Sequence, residues 1–475
     1  ESDTIEDVEN EPQNEYRKGG YCKIEIGETL DGRYRIIEKL GWGYFSTVWL
    51  AYDYNMETFV AAKVVKSADI FYSTALEEVK VMTQLGNTKT INPTLETEEA
   101  LENRCGVLLD SFKHRASDTG DRHLTMIFEW LDSSVFDLIR LRGYIGLPIS
   151  LVKRIAKDLL LACHQIHEQR IVHTDIKPEN ILMAFKGTKQ KVRASKVKKV
   201  ATIVIPPKEG IPLVIRDPKT LNKKQKKKKR QKLAALEEKY ETESELNDHL
   251  EQLKEKATNV NPLIHQQLPS FDCQLSKVKA NRNEEGIYEL PEESIPPLLY
   301  FKLIDFGNAR CIEANQRLLD EAQTREYRAP EVTLKMGYDT PADIWSVACV
   351  LYELLTGHPL FKPKNRGGNI TKEDDHLAQI LERVGYLRFP SCYASHAARW
   401  HHFFDRNYQF IRMKSKLSTR AGLVDKLRQQ LPQQAQSNRS EDIKAIVDFL
   451  MPMLHLNPKH RATAKDCLAS PFLKE

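Results

Sequence analysis

No stretch of the 475-residue chain reaches the roughly 20 uninterrupted apolar residues a membrane-spanning helix needs. The densest run, Ile344 to Leu355, is interrupted by Ser346 and Glu353, so no membrane association is expected. The eight cysteines, at 22, 105, 163, 273, 311, 349, 392 and 467, form no C-x-x-C and no dense framework. That pattern argues against a disulfide scaffold and for reduced thiols in cytosol or nucleus. The acidic opening Glu1-Ser2-Asp3-Thr4 has neither the basic nor the apolar region of a secretory leader. An excess of basic charge is also missing: the formal net charge is only +5. Residues 185–296 hold 24 basic and 16 acidic side chains, leaving 47 and 50 elsewhere. A mildly acidic body with one basic insert does not read as a nucleic-acid-binding surface, and direct nucleic-acid contact is not expected.

What is present is enough for a large core, with 41% hydrophobic residues, 17 Phe, 17 Tyr and 5 Trp. Residues 1 to about 20, acidic and ending in Lys18-Gly19-Gly20, read as a flexible lead-in within an extension over 1–33. From Tyr34, apolar segments broken by Gly41-Trp42-Gly43 and by Tyr54-Asn55 predict strand, glycine-rich turn, strand, turn, strand, ending in Val60-Ala61-Ala62-Lys63-Val64-Val65. The spacing of apolar positions predicts a helix over Ala75 to Leu85 and a longer one capped by Ser150 and running past Ile166. Residues 185–297, with Lys223-Lys224-Gln225-Lys226-Lys227-Lys228-Lys229-Arg230 at their centre, read as a largely disordered spacer carrying one helix. The basic run at 223–230 is either a nuclear-localisation patch or a plain solvated charge run. There is no internal repeat.

Chemistry enters through order. Gly41-x-Gly43 alone is a weak signal, and Ser46 stands where a third glycine is usual. After it come Lys63 on a strand, Glu78 in a helix, His173-Thr174-Asp175-Ile176-Lys177-Pro178-Glu179-Asn180, Asp305-Phe306-Gly307 and Ala329-Pro330-Glu331. That ordered set is the protein-kinase signature. In phosphoryl transfer, catalysis is mainly positioning and charge neutralisation. Glycines at 41 and 43 let backbone approach the ATP phosphates. Lys63, held by Glu78, supplies positive charge to them. Asn180 and Asp305 offer oxygen to Mg²⁺. Asp175 accepts the substrate hydroxyl proton, and Lys177 neutralises the departing phosphoryl group. Thr174 stands where the signature has Arg, which many kinases use to clamp a phosphorylated activation loop, so activity without loop phosphorylation is expected.

The words around these motifs resemble the SR-protein kinases of the CMGC group. They include Leu40-Gly41-Trp42-Gly43-Tyr44-Phe45-Ser46-Thr47-Val48-Trp49-Leu50, Thr324-Arg325-Glu326-Tyr327-Arg328-Ala329-Pro330-Glu331, Asp374-Asp375-His376-Leu377-Ala378-Gln379-Ile380-Leu381-Glu382 and Leu456-Asn457-Pro458-Lys459-His460-Arg461. The resemblance implies an α+β, bilobal kinase fold, with a small β-rich lobe and a larger helical lobe, its domain divided into 34–184 and 298–473 by the spacer. It implies ATP contacts at Leu40, Gly41, Gly43, Val48, Ala61, Lys63, Glu129, Leu131 and Leu182. It implies Arg/Ser-rich splicing factors as substrates, regulation of mRNA splicing, chaperone contacts through the spacer, shuttling between cytoplasm and nucleus, and a monomer. It also maps an arginine-docking groove onto Asp375 and Glu382, which lie seven residues apart on one helical face. His358 and Lys362 replace acidic residues of the family there, so a weakened groove and less processive phosphorylation are expected. The resemblance further implies that His173 packs in the core, that Asp343 holds the catalytic-loop backbone, and that Glu331 pairs with Arg461. His401-His402 lack partners for zinc, and no metal but Mg²⁺ is assigned. A LAMMER-type CMGC kinase with other flanking preferences, or a non-catalytic scaffold binding arginine-rich tails, remain the alternative readings.

Overall fold

The structure, a computed structural model, describes residues 11–87, 103–185, 215–216, 299–313, 317–413, 422–431 and 439–474. The chain divides into two compact units, one built mainly from residues 1–89 and 106–131, the other mainly from 132–186 and 271–475. The helix read within the spacer and its basic run lie outside the described residues.

The first unit is an antiparallel sheet with one long helix. Strands β1 (Thr29–Leu30), β2 (Tyr34–Gly43), β3 (Ser46–Asp53), β4 (Thr58–Val65), β5 (Leu108–Arg115) and β6 (Arg122–Glu129) lie in the order β1-β2-β3-β4-β6-β5. Ile215–Arg216, from the spacer, adds a short parallel pair beside β5. Alternating burial turns Tyr34, Ile36, Trp49, Val60, Ala62, Val64, Phe112 and Ile127 into one core, with Tyr34 and Phe112 stacked at 5.5 Å. Helix α1 (Asp69–Asn87) begins six residues before the expected Ala75. Its first turns are largely exposed, so the apolar stripe does not register them; the amides of Phe71 and Tyr72 close the first turn on the Ala68 carbonyl.

In the second unit, α2 (Val135–Leu141) and α3 (Ile149–Glu168) lead through β7 (Ile171–Val172) to β8 (Ile181–Phe185). Strand β8 pairs antiparallel with β9 (Leu299–Leu303), and β7 with β10 (Arg310–Cys311). Helix α3 is not capped by Ser150. Pro148 occupies the cap position, and Ser150 falls inside the first turn. A proline already fixes φ for helix entry and needs no amide there, which outweighs the hydroxyl signal. Helices α4 (Pro330–Thr333), α5 (Pro341–Thr356) and α6 (Lys372–Val384) follow. Helix α5 contains the densest apolar run and is buried from Ala342 to Thr356, as a helix apolar on all sides must be. No described helix is long and apolar enough to cross a membrane.

Candidate active site

The glycine-rich turn is the β2–β3 hairpin end, where Gly41 faces Val48, Trp42 faces Thr47 and Gly43 faces Ser46. A Cβ at Gly41 or Gly43 would meet nothing within 4 Å, so the space over this backbone is open to a ligand. Ser46, at the third-glycine position, is buried. Gly41, Val48, Lys63 and Met126 form one row across the sheet, and Ala61 shares a face of β4 with Lys63. Lys63 Nζ donates to both carboxylate oxygens of Glu78 at 2.9 Å. Both side chains are largely buried, which makes this a positioned pair rather than a solvated surface bridge. Leu40 is exposed and Val48 half-buried. Glu129 closes β6, and its carboxylate accepts the Val107 amide at 3.0 Å. Half-buried Leu131 follows two residues later.

The second unit holds the segment His173–Asn180 between β7 and β8. Asp343, fully buried at the start of α5, accepts the backbone amides of His173 (2.8 Å) and Thr174 (3.0 Å). Thr174 needs that support because its φ of 67° is left-handed, a costly setting for a β-branched residue. His173 packs edge-on against Phe306 at 4.9 Å. Its Nδ1 accepts the Asp175 amide and its Nε2 lies 2.9 Å from the Ile304 carbonyl, an arrangement satisfied by a neutral ring carrying its proton on Nε2. Asp175 is thereby fixed from behind. In front, its Oδ2 accepts from Lys177 Nζ at 2.8 Å and its Oδ1 from Thr324 Oγ1 at 2.7 Å. Burial works against the Lys177 charge, yet the hydrogen bond and field of Asp175 lift its pKa above the usual lysine value, so it stays cationic.

Asn180 and Asp305 stand 125 positions apart in the chain but at the same end of one ladder. Ile181 pairs with Leu303, and the Ile304 amide donates to the Asn180 carbonyl at 2.9 Å. Asn180 Nδ2 donates to the Asp175 carbonyl at 2.9 Å, which leaves the amide oxygen as the atom available to a hard cation. Asp305 has left-handed backbone, φ 62° and ψ 73°, at the turn into Phe306–Asn308. One carboxylate and one amide oxygen are a donor set suited to Mg²⁺ carrying waters and phosphate oxygens. Half-buried Leu182 lies on β8 opposite Lys302.

The protein kinase domain family matches residues 34–196 and 293–473. Serine/threonine-protein kinase SRPK of Physarum polycephalum is 31% identical over 480 residues, covering 100% of this chain and 94% of that protein. The chain belongs to the SR-protein kinases. It is therefore a serine/threonine protein kinase. SRSF protein kinase 3 of Mus musculus is 29% identical, with 98% of this chain and 91% of that protein covered. Serine/threonine-protein kinase spk-1 of Caenorhabditis elegans is 32% identical over 98% of this chain but only 51% of its own length.

In this SR-protein kinase, the activation segment is held by groups already in the chain. Thr174 Oγ1 donates to the Asn308 carbonyl at 2.8 Å. Asp320 lies 3.7 Å from Arg310 Nε and accepts from Tyr338 at 3.0 Å, while Glu321 accepts from Arg328 at 3.0 Å. Buried Gln323 donates to the Ala342 carbonyl and to Ser346 Oγ, both at 2.8 Å, and accepts the Ala329 amide at 2.9 Å. Glu331 and Arg461 form a two-pronged buried pair at 2.6 and 2.9 Å.

The docking residues depart from an open groove. Asp375 is 1% exposed and already has three donors: Arg366 Nε at 2.5 Å, the Lys364 amide at 2.8 Å and Gln379 Nε2 at 2.8 Å. Glu382 sits two turns along α6, half-buried, with Arg383 at 4.0 Å. His358 is half-buried and Lys362 exposed. Sequence reasoning missed Thr324, Gln323 and Arg366. A hydroxyl five residues before Ala329 was the only signal for Thr324, and nothing in the pattern pointed to Arg366.

Proposed function

We propose that this SR-protein kinase transfers the γ-phosphoryl group of ATP to serine within Arg/Ser-rich segments of splicing factors, in support of mRNA splicing. The observation that carries the chemistry is the double hold on Asp175. Lys177 and Thr324 each take one carboxylate oxygen, which aims the group at the place where a serine hydroxyl would give up its proton. Lys177 then stands two residues from the base to meet the charge that develops on the transferred group. Lys63, oriented by Glu78, is the cation for the α and β phosphates. Gly41 and Gly43 supply backbone that can come close to them. Asn180 and Asp305 would hold magnesium, which would supply positive charge to the phosphate oxygens. The substrate class rests on the kinship with SRPK and SRSF protein kinases. The test is phosphate transfer by bacterially produced protein to an Arg-Ser repeat peptide and to a Ser-Pro peptide. Transfer to the first alone supports the reading, and transfer to the second alone overturns it.

Two further results are expected. Phosphatase-treated enzyme retains at least about half its kcat, because Arg310 and Arg328 already face Asp320 and Glu321 and Thr174 ties the segment without a phosphate. Enzyme that is silent until its activation segment is phosphorylated would contradict this. Second, Arg366→Ala tightens binding of an Arg-Ser repeat peptide about tenfold, since Asp375 loses an internal guanidinium and gains room for an external one. Unchanged or weaker binding by titration calorimetry removes Asp375 as an available docking acid.

A further inference from the structure

The lead-in is ordered where it is described, contrary to the flexible segment its composition suggests. Residues 11–22 lie along the first unit. The Ser67 and Ala68 amides donate to the Gly20 and Gly19 carbonyls, both at 3.1 Å. Asp121 accepts the Gly19 amide at 3.0 Å and the Ser67 hydroxyl at 2.9 Å. Glu11 accepts from Tyr16 and from Lys39 of β2. A Cβ at Gly20 would fall 1.8 Å from the Glu15 carbonyl oxygen, so only glycine permits this path.

The path ends on the glycine-rich hairpin. Tyr21, 4% exposed, donates its hydroxyl to the Gly43 carbonyl at 2.8 Å. Burial, with the carboxylates of Glu11 and Glu15, pushes the phenol pKa up and keeps it a donor. Beside it, Lys66 is buried in a cage: Glu15 at 3.0 Å, the Tyr21 ring at 4.2 Å, Tyr44 at 4.8 Å and Phe71 at 5.4 Å. A desolvated ammonium over several aromatic faces is strongly held. Tyr44 and Phe45, at the hairpin tip, also pack edge-on against Phe71 at 5.8 and 5.7 Å. Phe71 lies in the first turn of α1, seven residues before Glu78 and so on the same helical face. One cluster therefore ties together the lead-in, the tip of the hairpin and the helix that orients Lys63.

We propose that residues 11–22 act as a strap that pre-positions the phosphate-binding loop for ATP, with Tyr21 and Lys66 as its positioning residues. A planar trans peptide carries its C=O and the next N–H on opposite sides. Drawing the Gly43 carbonyl toward Tyr21 therefore turns the Tyr44 amide away from the strap, an orientation in which it can donate to a phosphate oxygen. Ordering the loop before ATP arrives removes part of the entropy that binding would otherwise have to overcome.

Tyr21→Phe deletes only the hydroxyl and tests the hydrogen bond. The expected result is an ATP KM raised about fivefold, the weight of one net hydrogen bond, with the peptide KM and the thermal midpoint unchanged. Lys66→Met removes the caged charge and should raise the ATP KM by about tenfold or more, with Lys66→Arg recovering most of the loss. Direct titration with a non-hydrolysable ATP analogue should show the same ratios. An unchanged nucleotide affinity in folded Tyr21→Phe overturns the proposal. So does a parallel change in ATP KM, peptide KM and thermal midpoint, which would assign the strap to general stability.

Discussion

Asp175→Asn should lower kcat about a thousandfold while leaving the ATP KM within about twofold, read by single-turnover phosphate transfer to an Arg-Ser peptide. The substitution is nearly isosteric. An asparagine can still accept from Lys177 or Thr324 through its one oxygen, and its backbone amide can still meet His173 Nδ1. What it loses is the ability to take a proton. It also removes the anion that keeps Lys177 above its usual pKa and points its ammonium. The nucleotide side is insulated, since Asn180 contacts the backbone carbonyl of Asp175 at 2.9 Å and that contact survives. The two parts of the effect separate with Thr324→Val, which keeps the carboxylate but frees one oxygen; its expected loss is about tenfold in kcat. A kcat for Asp175→Asn within tenfold of the parent, with folding intact, would assign the base elsewhere.

Much of this site was readable from sequence because phosphoryl transfer dictates residue types at particular stations along the chain. Lys63 with Glu78, and Asn180 beside Asp305, are demanded by charge and by a hard cation, and the fold brings each pair together. The buried partners Asp343 and Arg461 were legible through the family resemblance alone. What escaped was governed by polar contacts between segments remote in sequence. Thr324 meets Asp175 across 149 positions through a hydroxyl whose role depends wholly on where the activation segment runs. Arg366 reaches Asp375 from an exposed loop that has no periodicity to read. The lead-in looked flexible because hydrophobic patterning is the usual mark of order. Here order comes from Gly20, a caged Lys66 and carboxylates, all of which raise polarity rather than lower it.

Arg461→Met should destabilise the second unit by about 3–5 kcal/mol, more than any other single substitution considered. The Arg461 side chain is inaccessible, and four of its five N–H donors are used: two on Glu331 at 2.6 and 2.9 Å, one on the Pro341 carbonyl at 2.8 Å and Nε on the His455 carbonyl at 3.0 Å. Its guanidinium also lies 5.1 Å over the Trp345 ring. Burial opposes its charge, but the Glu331 carboxylate more than offsets this and raises its pKa. Removing it leaves the Glu331 carboxylate with the Tyr393 hydroxyl at 3.4 Å, and two carbonyls lose their donors. The cost is that of an uncompensated buried charge, and the way to isolate it is to remove the charge as well. Glu331→Met combined with Arg461→Met should therefore be more stable than Arg461→Met alone, recovering roughly half the loss or more. Urea unfolding monitored on a tryptophan signal reads both, as a lowered midpoint in the single variant and a partly restored one in the double. If the double variant is no more stable than the single, the stabilisation at this junction comes from the packing and hydrogen bonds of the Arg461 stem rather than from its pairing with Glu331.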